Sequence, residues 1–175
     1  MENKGYIQVL DAGHVALVDH MGNDLSVVRS ARVSYDADWR TGEDADKDEK
    51  LIGYLMRNNH TSPFESVTFT FEVKAPIFVF RQWHRHRTWA YNEISARYTE
   101  LPEEFYIPAE AVITHQHASN KQMRDEVIHP EALNIQLLMA GENKRSFAMY
   151  HHLIVLGTPR ELARSVLPCG TYSRM

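Results

Sequence analysis

The chain contains a single cysteine, Cys169, in 175 residues. An internal disulfide framework is therefore excluded, and a lone thiol suits a reducing, cytoplasmic setting. Long hydrophobic runs are absent too. The longest, such as Ala75–Phe80 and Leu153–Leu156, fall far short of the ~20 apolar residues that a membrane helix needs. The opening stretch MENKGYIQVLDAG has no apolar core of the kind a secretory signal carries, so no export signal is expected. Excess positive charge is missing: 19 Lys and Arg face 23 Asp and Glu, for a net charge of −4. Diffuse attraction to nucleic acid or to an anionic membrane is thus not expected, and any anion site must be a local cluster. Glycine (8) and proline (7) are too few for a collagen-like or low-complexity chain. What the chain does have is 43% hydrophobic residues, enough to bury a core in one domain spanning residues 1–175.

Tyr6–Leu10 and His14–Val18 read as two strands around a turn at Asp11–Gly13. Asp24 is a candidate cap for a helix with Val27, Val28, Ala31 and Val33 on its apolar side. The acidic stretch Asp36–Glu49 reads as a solvated loop leading into a helix whose buried stripe is Leu51, Ile52, Leu55 and Met56, ended by Asn58-Asn59-His60. Between Val67 and Ala75, apolar and polar residues alternate strictly, as in a strand with one buried face. Pro76 then opens a helix with Ile77, Phe80 and His84 along one side. Asn134–Leu156 reads as a long helix that Gly141 can interrupt, and Thr158-Pro159-Arg160-Glu161 as a capping signal for a short one. Strands early and helices late give an α+β fold: a small antiparallel sheet packed with helices.

The chemistry concentrates in residues 81–98, where arginines and histidines alternate with aromatics and hydrogen-bonding side chains. Guanidinium forks match phosphate oxygens two at a time, and rings and amides can hold a flat heterocycle. Arg85, Arg87 and Arg97 cannot all be buried unless an anion neutralises them. The competing readings are a solvated charged face, an imidazole pair for a metal at His84 and His86 or at His115 and His117, and a stacking surface for RNA. Cationic neighbours repel a metal ion, and no acid or cysteine is spaced as a third ligand, so no metal is expected.

Arg85-His86-Arg87, seven residues, then Ser95, within Tyr91-Asn92-Glu93-Ile94-Ser95-Ala96-Arg97-Tyr98, closely resembles the signature of the flavin-dependent thymidylate synthases. Further segments agree in order: Ala31-Arg32-Val33-Ser34, His60-Thr61-Ser62-Pro63-Phe64-Glu65, Phe69–Arg81, Phe105-Tyr106-Ile107-Pro108 and Pro159–Pro168. Only His115–Gln136 finds no match. The resemblance implies an enzyme that methylates dUMP at C5, taking carbon from methylene-tetrahydrofolate and hydride from reduced FAD, with NADPH as reductant. It implies a homotetramer with shared active sites. It places Arg85, His86, Arg87, Thr88, Asn92 and Glu93 at the flavin, with Ser34, His60, Ser62 and Glu65 on the flavin or folate side. It places Gln82, Arg85, Glu93, Ser95, Ala96, Arg97 and Arg164 at the nucleotide, with Arg164 and Arg97 as catalytic candidates. Ser95, lacking a paired base, is expected to bind phosphate rather than attack. The family continues past the Tyr172 region into a helical segment, so this chain is short at its C-terminal end. A split nucleotide- or flavin-binding fragment and a pyrimidine-nucleotide C5 hydroxymethylase are the alternative readings.

Overall fold

A computed structural model of the chain describes residues 5–175. These fall into two compact units, one formed mainly by Ala16–Phe71, the other by Tyr6–Val15 together with Glu72–Met175.

In the first unit, helix α1 (Asp24–Val33) begins one residue earlier than its pattern suggests. Its cap is Asn23, not Asp24. The Asn23 side chain accepts from the Ser26 N–H at 3.2 Å, and the Ser26 hydroxyl accepts from the Asn23 N–H at 3.1 Å. Asp24 instead sits in the first turn, where its charge favours the helix N-terminus. Val27 and Val28 are buried, whereas Val33 is exposed. Helix α2 (Ala45–Arg57) is capped by Asp44, which accepts from the Lys47 N–H. Hydrogen bonds from the Lys47 side chain and backbone hold the Asp44 carboxyl below the usual carboxylate range. Leu55 is buried as expected, but Met56 is open to solvent. Buried Asp48 takes its place on the inner side, paired with Arg32 and accepting from the Gly42 N–H at 2.8 Å.

Strands β1 (Tyr6–Val9), β2 (Gly13–Met21), β3 (Thr68–Pro76) and β6 (Tyr172–Arg174) form a sheet in the order β1-β2-β3-β6. At Gly13 a Cβ would lie 2.7 Å from the Lys74 carbonyl oxygen, so only glycine lets the strands approach there. β6 runs antiparallel to β3 with Ala75 opposite Ser173. The strict alternation of β3 is buried only in its second half. Val73 and Ala75 pack with Phe80, while Phe69 and Phe71 lie against each other at 6.1 Å and remain exposed. Alternation marks a face as apolar; it does not supply a cover for it.

The rest of the second unit is helical, apart from a two-stranded hairpin of β4 (Thr114–Gln116) and β5 (Arg124–Ile128). Helix α3 (Ile77–Trp83) follows Pro76 directly. Helix α4 (Ala132–Val155) passes through Gly141 without a break. It buries Phe147 and Tyr150 against Ala163 of α5 (Arg160–Ala163), with Phe105 and Leu167 beside them. Its other side leaves Leu133, Leu137, Leu138 and Val155 exposed. α5 forms where expected, but not by the expected cap. Pro159 occupies the cap position, and Thr158 makes no capping bond. The chain reaches it through Gly157 in the left-handed region (φ 78°). Among the described residues no helix is long and apolar enough to cross a membrane.

Candidate functional site

Helix α3 ends at His84, and its last turn unwinds through three successive amides. The N–H groups of His84, Arg85 and His86 donate to the carbonyls of Phe80, Gln82 and Trp83. The His84–His86 stretch is therefore a turn and not a strand, so the strand alternation from which the imidazole pair is read is absent. Beyond it the backbone is irregular and held from several sides. The Tyr91 hydroxyl donates to the His86 carbonyl at 2.5 Å, and its ring meets the His84 ring edge-on at 4.9 Å. Trp89 packs across Trp83 at 5.5 Å. The Ile94 N–H donates to the Arg174 carbonyl at 2.8 Å, fastening the segment to β6.

Ser95 then starts a tight turn. Its carbonyl accepts from the N–H groups of Tyr98 and Thr99, and its hydroxyl accepts from the Arg97 N–H at 3.3 Å. With that acceptor used, the Ser95 O–H is free to donate to an incoming oxygen. Arg97 extends outward, with Nε 3.5 Å from Glu161 and its guanidinium over the Tyr98 ring at 5.9 Å. Arg85 and Arg87 are exposed, and neither makes an ion pair among the described residues.

A cavity of about 290 Å³ opens beside this segment. Ile77, Phe80, Arg81 and His84 of α3 form one wall, at the i, i+3, i+4, i+7 spacing of a single helix face. Glu93 and Ala96 face it, and Arg164, Cys169 and Ser173 close it. Three of the residues assigned to the nucleotide from sequence thus meet in one cavity: Glu93, Ala96 and Arg164. Gln82, Arg85, Ser95 and Arg97 do not line it; they stand on the same polypeptide segment. His86, Thr88 and Asn92 are exposed along the same stretch. Ser34, His60, Ser62 and Glu65 belong to the first unit and are exposed there. Arg81, His84 and Ser173 were not assigned from sequence. The face of α3 that carries the first two is visible in the residue spacing, whereas Ser173 enters only through the pairing of β6 with β3.

An aliphatic cavity bordered by arginines, a free hydroxyl and one carboxylate is a site for a small anionic ligand with a flat, hydrogen-bonding body. Comparison with known proteins narrows this class. The family model described as "Thymidylate synthase complementing protein" matches residues 16–175. The flavin-dependent thymidylate synthase of Pseudothermotoga lettingae is 45% identical over 168 residues, covering 96% of this chain and 71% of that protein. The one from Thermotoga neapolitana is 48% identical, with the same coverage. The crystal structure of a UMP/dUMP methylase, PolB from Streptomyces cacaoi, bound with 5-Br dUMP, superposes with a TM-score of 0.82 at 36% identity, covering 96% of this chain and 73% of that one. The chain belongs to the flavin-dependent thymidylate synthase family. It spans about seven-tenths of the length of these relatives.

Proposed function

We propose that this chain methylates dUMP at uracil C5 to give dTMP, with methylene-tetrahydrofolate as carbon donor, FAD as cofactor and NADPH as reductant. The observation that carries this reading is the meeting of Glu93 and Arg164 in one cavity, on the flank of the arginine-rich turn. Bound FAD supplies the hydride when reduced. The donor set fits that group: Arg85 and Arg87, two residues apart and without a carboxylate partner among the described residues, suit a diphosphate. His86, Thr88, Asn92 and Glu93 on the same stretch carry the assigned flavin contacts of the second unit, and Ser34, His60, Ser62 and Glu65, assigned to the flavin or folate side, stand exposed on the first.

The chain's own residues perform the rest. Arg97 and the Ser95 hydroxyl hold the 5′-phosphate at the turn around Ala96, with Gln82 and Arg85 among the residues assigned to the nucleotide. The apolar cavity walls receive the nucleoside and exclude water from it. As uracil C5 becomes a carbon nucleophile, negative charge accumulates on the ring oxygens. The Arg164 guanidinium at the cavity stabilises that charge as it develops. No attacking side chain is needed, so Ser95 serves as a ligand for phosphate.

The same reading includes a homotetramer whose sites are completed between subunits. It is supported by the exposure of the assigned flavin residues and by the row of exposed leucines on α4. The test is to incubate purified protein with FAD, dUMP, methylene-tetrahydrofolate and NADPH and to follow dTMP by chromatography. Formation of dTMP that falls about 10²-fold in Arg164→Ala is expected. Protein that neither carries nor binds flavin overturns the reading.

A further inference from the structure

Ser173 lies more than nine-tenths buried (5% exposed), yet its side chain faces the cavity. Among the described residues it is the only polar residue that combines these two properties; the cavity's arginines, His84, Glu93 and Cys169 are all exposed. The pleat of β6 explains its direction. Tyr172 and Arg174 take the opposite face, where the Tyr172 hydroxyl donates to Asp11 and Arg174 approaches Glu72 at 3.9 Å. Ser173 is left to look toward α3. Its neighbour Thr171 carries a buried hydroxyl without a partner, but that one is sealed in the interior and borders no cavity. The Ser173 hydroxyl makes no hydrogen bond among the described residues. Unlike the Thr171 hydroxyl, it is not sealed off, so a group that enters the cavity can hydrogen-bond it.

We propose that Ser173 is a specificity-determining residue of the nucleotide site, hydrogen-bonding an uncharged polar edge of the bound pyrimidine nucleotide. The inference rests on the nucleotide reading of this cavity. The phosphate ligands Ser95 and Arg97 do not line the cavity, so the phosphate stays at its rim and the neutral nucleoside occupies the interior. The apolar share of the lining, Ile77, Phe80, Ile94, Leu101 and Leu167, suits the nucleoside, beside the cations Arg81 and Arg164. A hydroxyl both donates and accepts, which suits the amide edge of a uracil or a hydroxyl of the sugar, and does not suit a second charge.

The experiment uses the full chain loaded with FAD and titrates it by calorimetry with dUMP and with 2′,3′-dideoxy-UMP, which lacks the 3′-hydroxyl. Ser173→Ala is expected to weaken dUMP binding about tenfold while leaving the flavin spectrum and the melting temperature unchanged. If the substitution has no effect on the dideoxy nucleotide, the partner is the sugar hydroxyl. If the same loss persists with it, the partner is the base edge. Ser173→Cys keeps the shape with a poorer donor, and its expected weakening repeats the test should the alanine variant fold poorly. Unchanged dUMP affinity in both variants overturns the assignment of Ser173. Absence of dUMP binding by the unsubstituted protein overturns the nucleotide reading itself.

Discussion

Arg97 has two attachments that a ligand must compete with, the Glu161 carboxylate and the Tyr98 ring. Both partners of the ion pair are more than half exposed (54% and 53%), so the pair adds little to folding. Arg97→Ala is therefore expected to weaken dUMP binding by at least tenfold, the worth of a charge-assisted hydrogen bond, with no change in melting temperature. Calorimetric titration beside a thermal melt separates the two effects. Arg32 is the opposite case. It pairs with buried Asp48, so Arg32→Ala strands a carboxylate in the interior and should cost about 3 kcal/mol in a denaturant titration. Tyr172 contributes a pH dependence. Burial, and then its hydrogen bond to Asp11, push the phenol pKa well above the ordinary tyrosine value. The folded chain therefore holds that proton more tightly than the unfolded chain does. The associated stability is complete below pH ~10 and is lost as pH rises beyond it. Denaturation at pH 9 and pH 11 should show a steeper alkaline loss for the unsubstituted protein than for Tyr172→Phe.

At the scale of elements, legibility follows the length and regularity of each pattern. The β1–β2 hairpin, β3, α3 and α4 are all readable because their periods run for at least one full repeat. Caps are harder, because neighbouring residues offer the same chemistry. Asn23 and Asp24 are both good capping residues, and only the reciprocal bonds with Ser26 decide between them. Thr158 shows the same ambiguity, since Pro159 brings the chain into α5 without it. Phe69 and Phe71 reveal a second limit: the sequence marks them as one face of a strand, but burial depends on what lies across from it. The arginine-rich half of the site is legible because it occupies one continuous run. Ser173 is not, because its place depends on pairing with Ala75, nearly a hundred residues away. Gly141 offers an element-level test. In the middle of α4, a Cβ there would meet nothing within 4 Å. Gly141→Ala should raise stability by about 0.5–1 kcal/mol through the helix propensity alone, read as a higher melting temperature.

At the scale of the whole molecule, α4 presents Leu137 and Leu138 at 61% and 65% exposure, with Leu133 and Val155 also open. An apolar row of this kind on a helix is the expected face of an assembly. Sedimentation of the purified chain should give a mass near four times that of one subunit, and Leu137→Glu combined with Leu138→Glu should reduce it. The connectivity of the second unit has a separate consequence. Val73 and Met175 exchange both backbone bonds, at 2.8 and 2.9 Å, where β6 lies beside β3. During translation, residues 16–71 leave the ribosome as one continuous stretch, long before β6 is made. The sheet edge beside β3 stays bare until β6 has been made. A stop codon or a carboxypeptidase acting before Tyr172 would therefore remove a structural strand and, with Ser173, one wall of the cavity, where trimming an ordinary tail would remove neither.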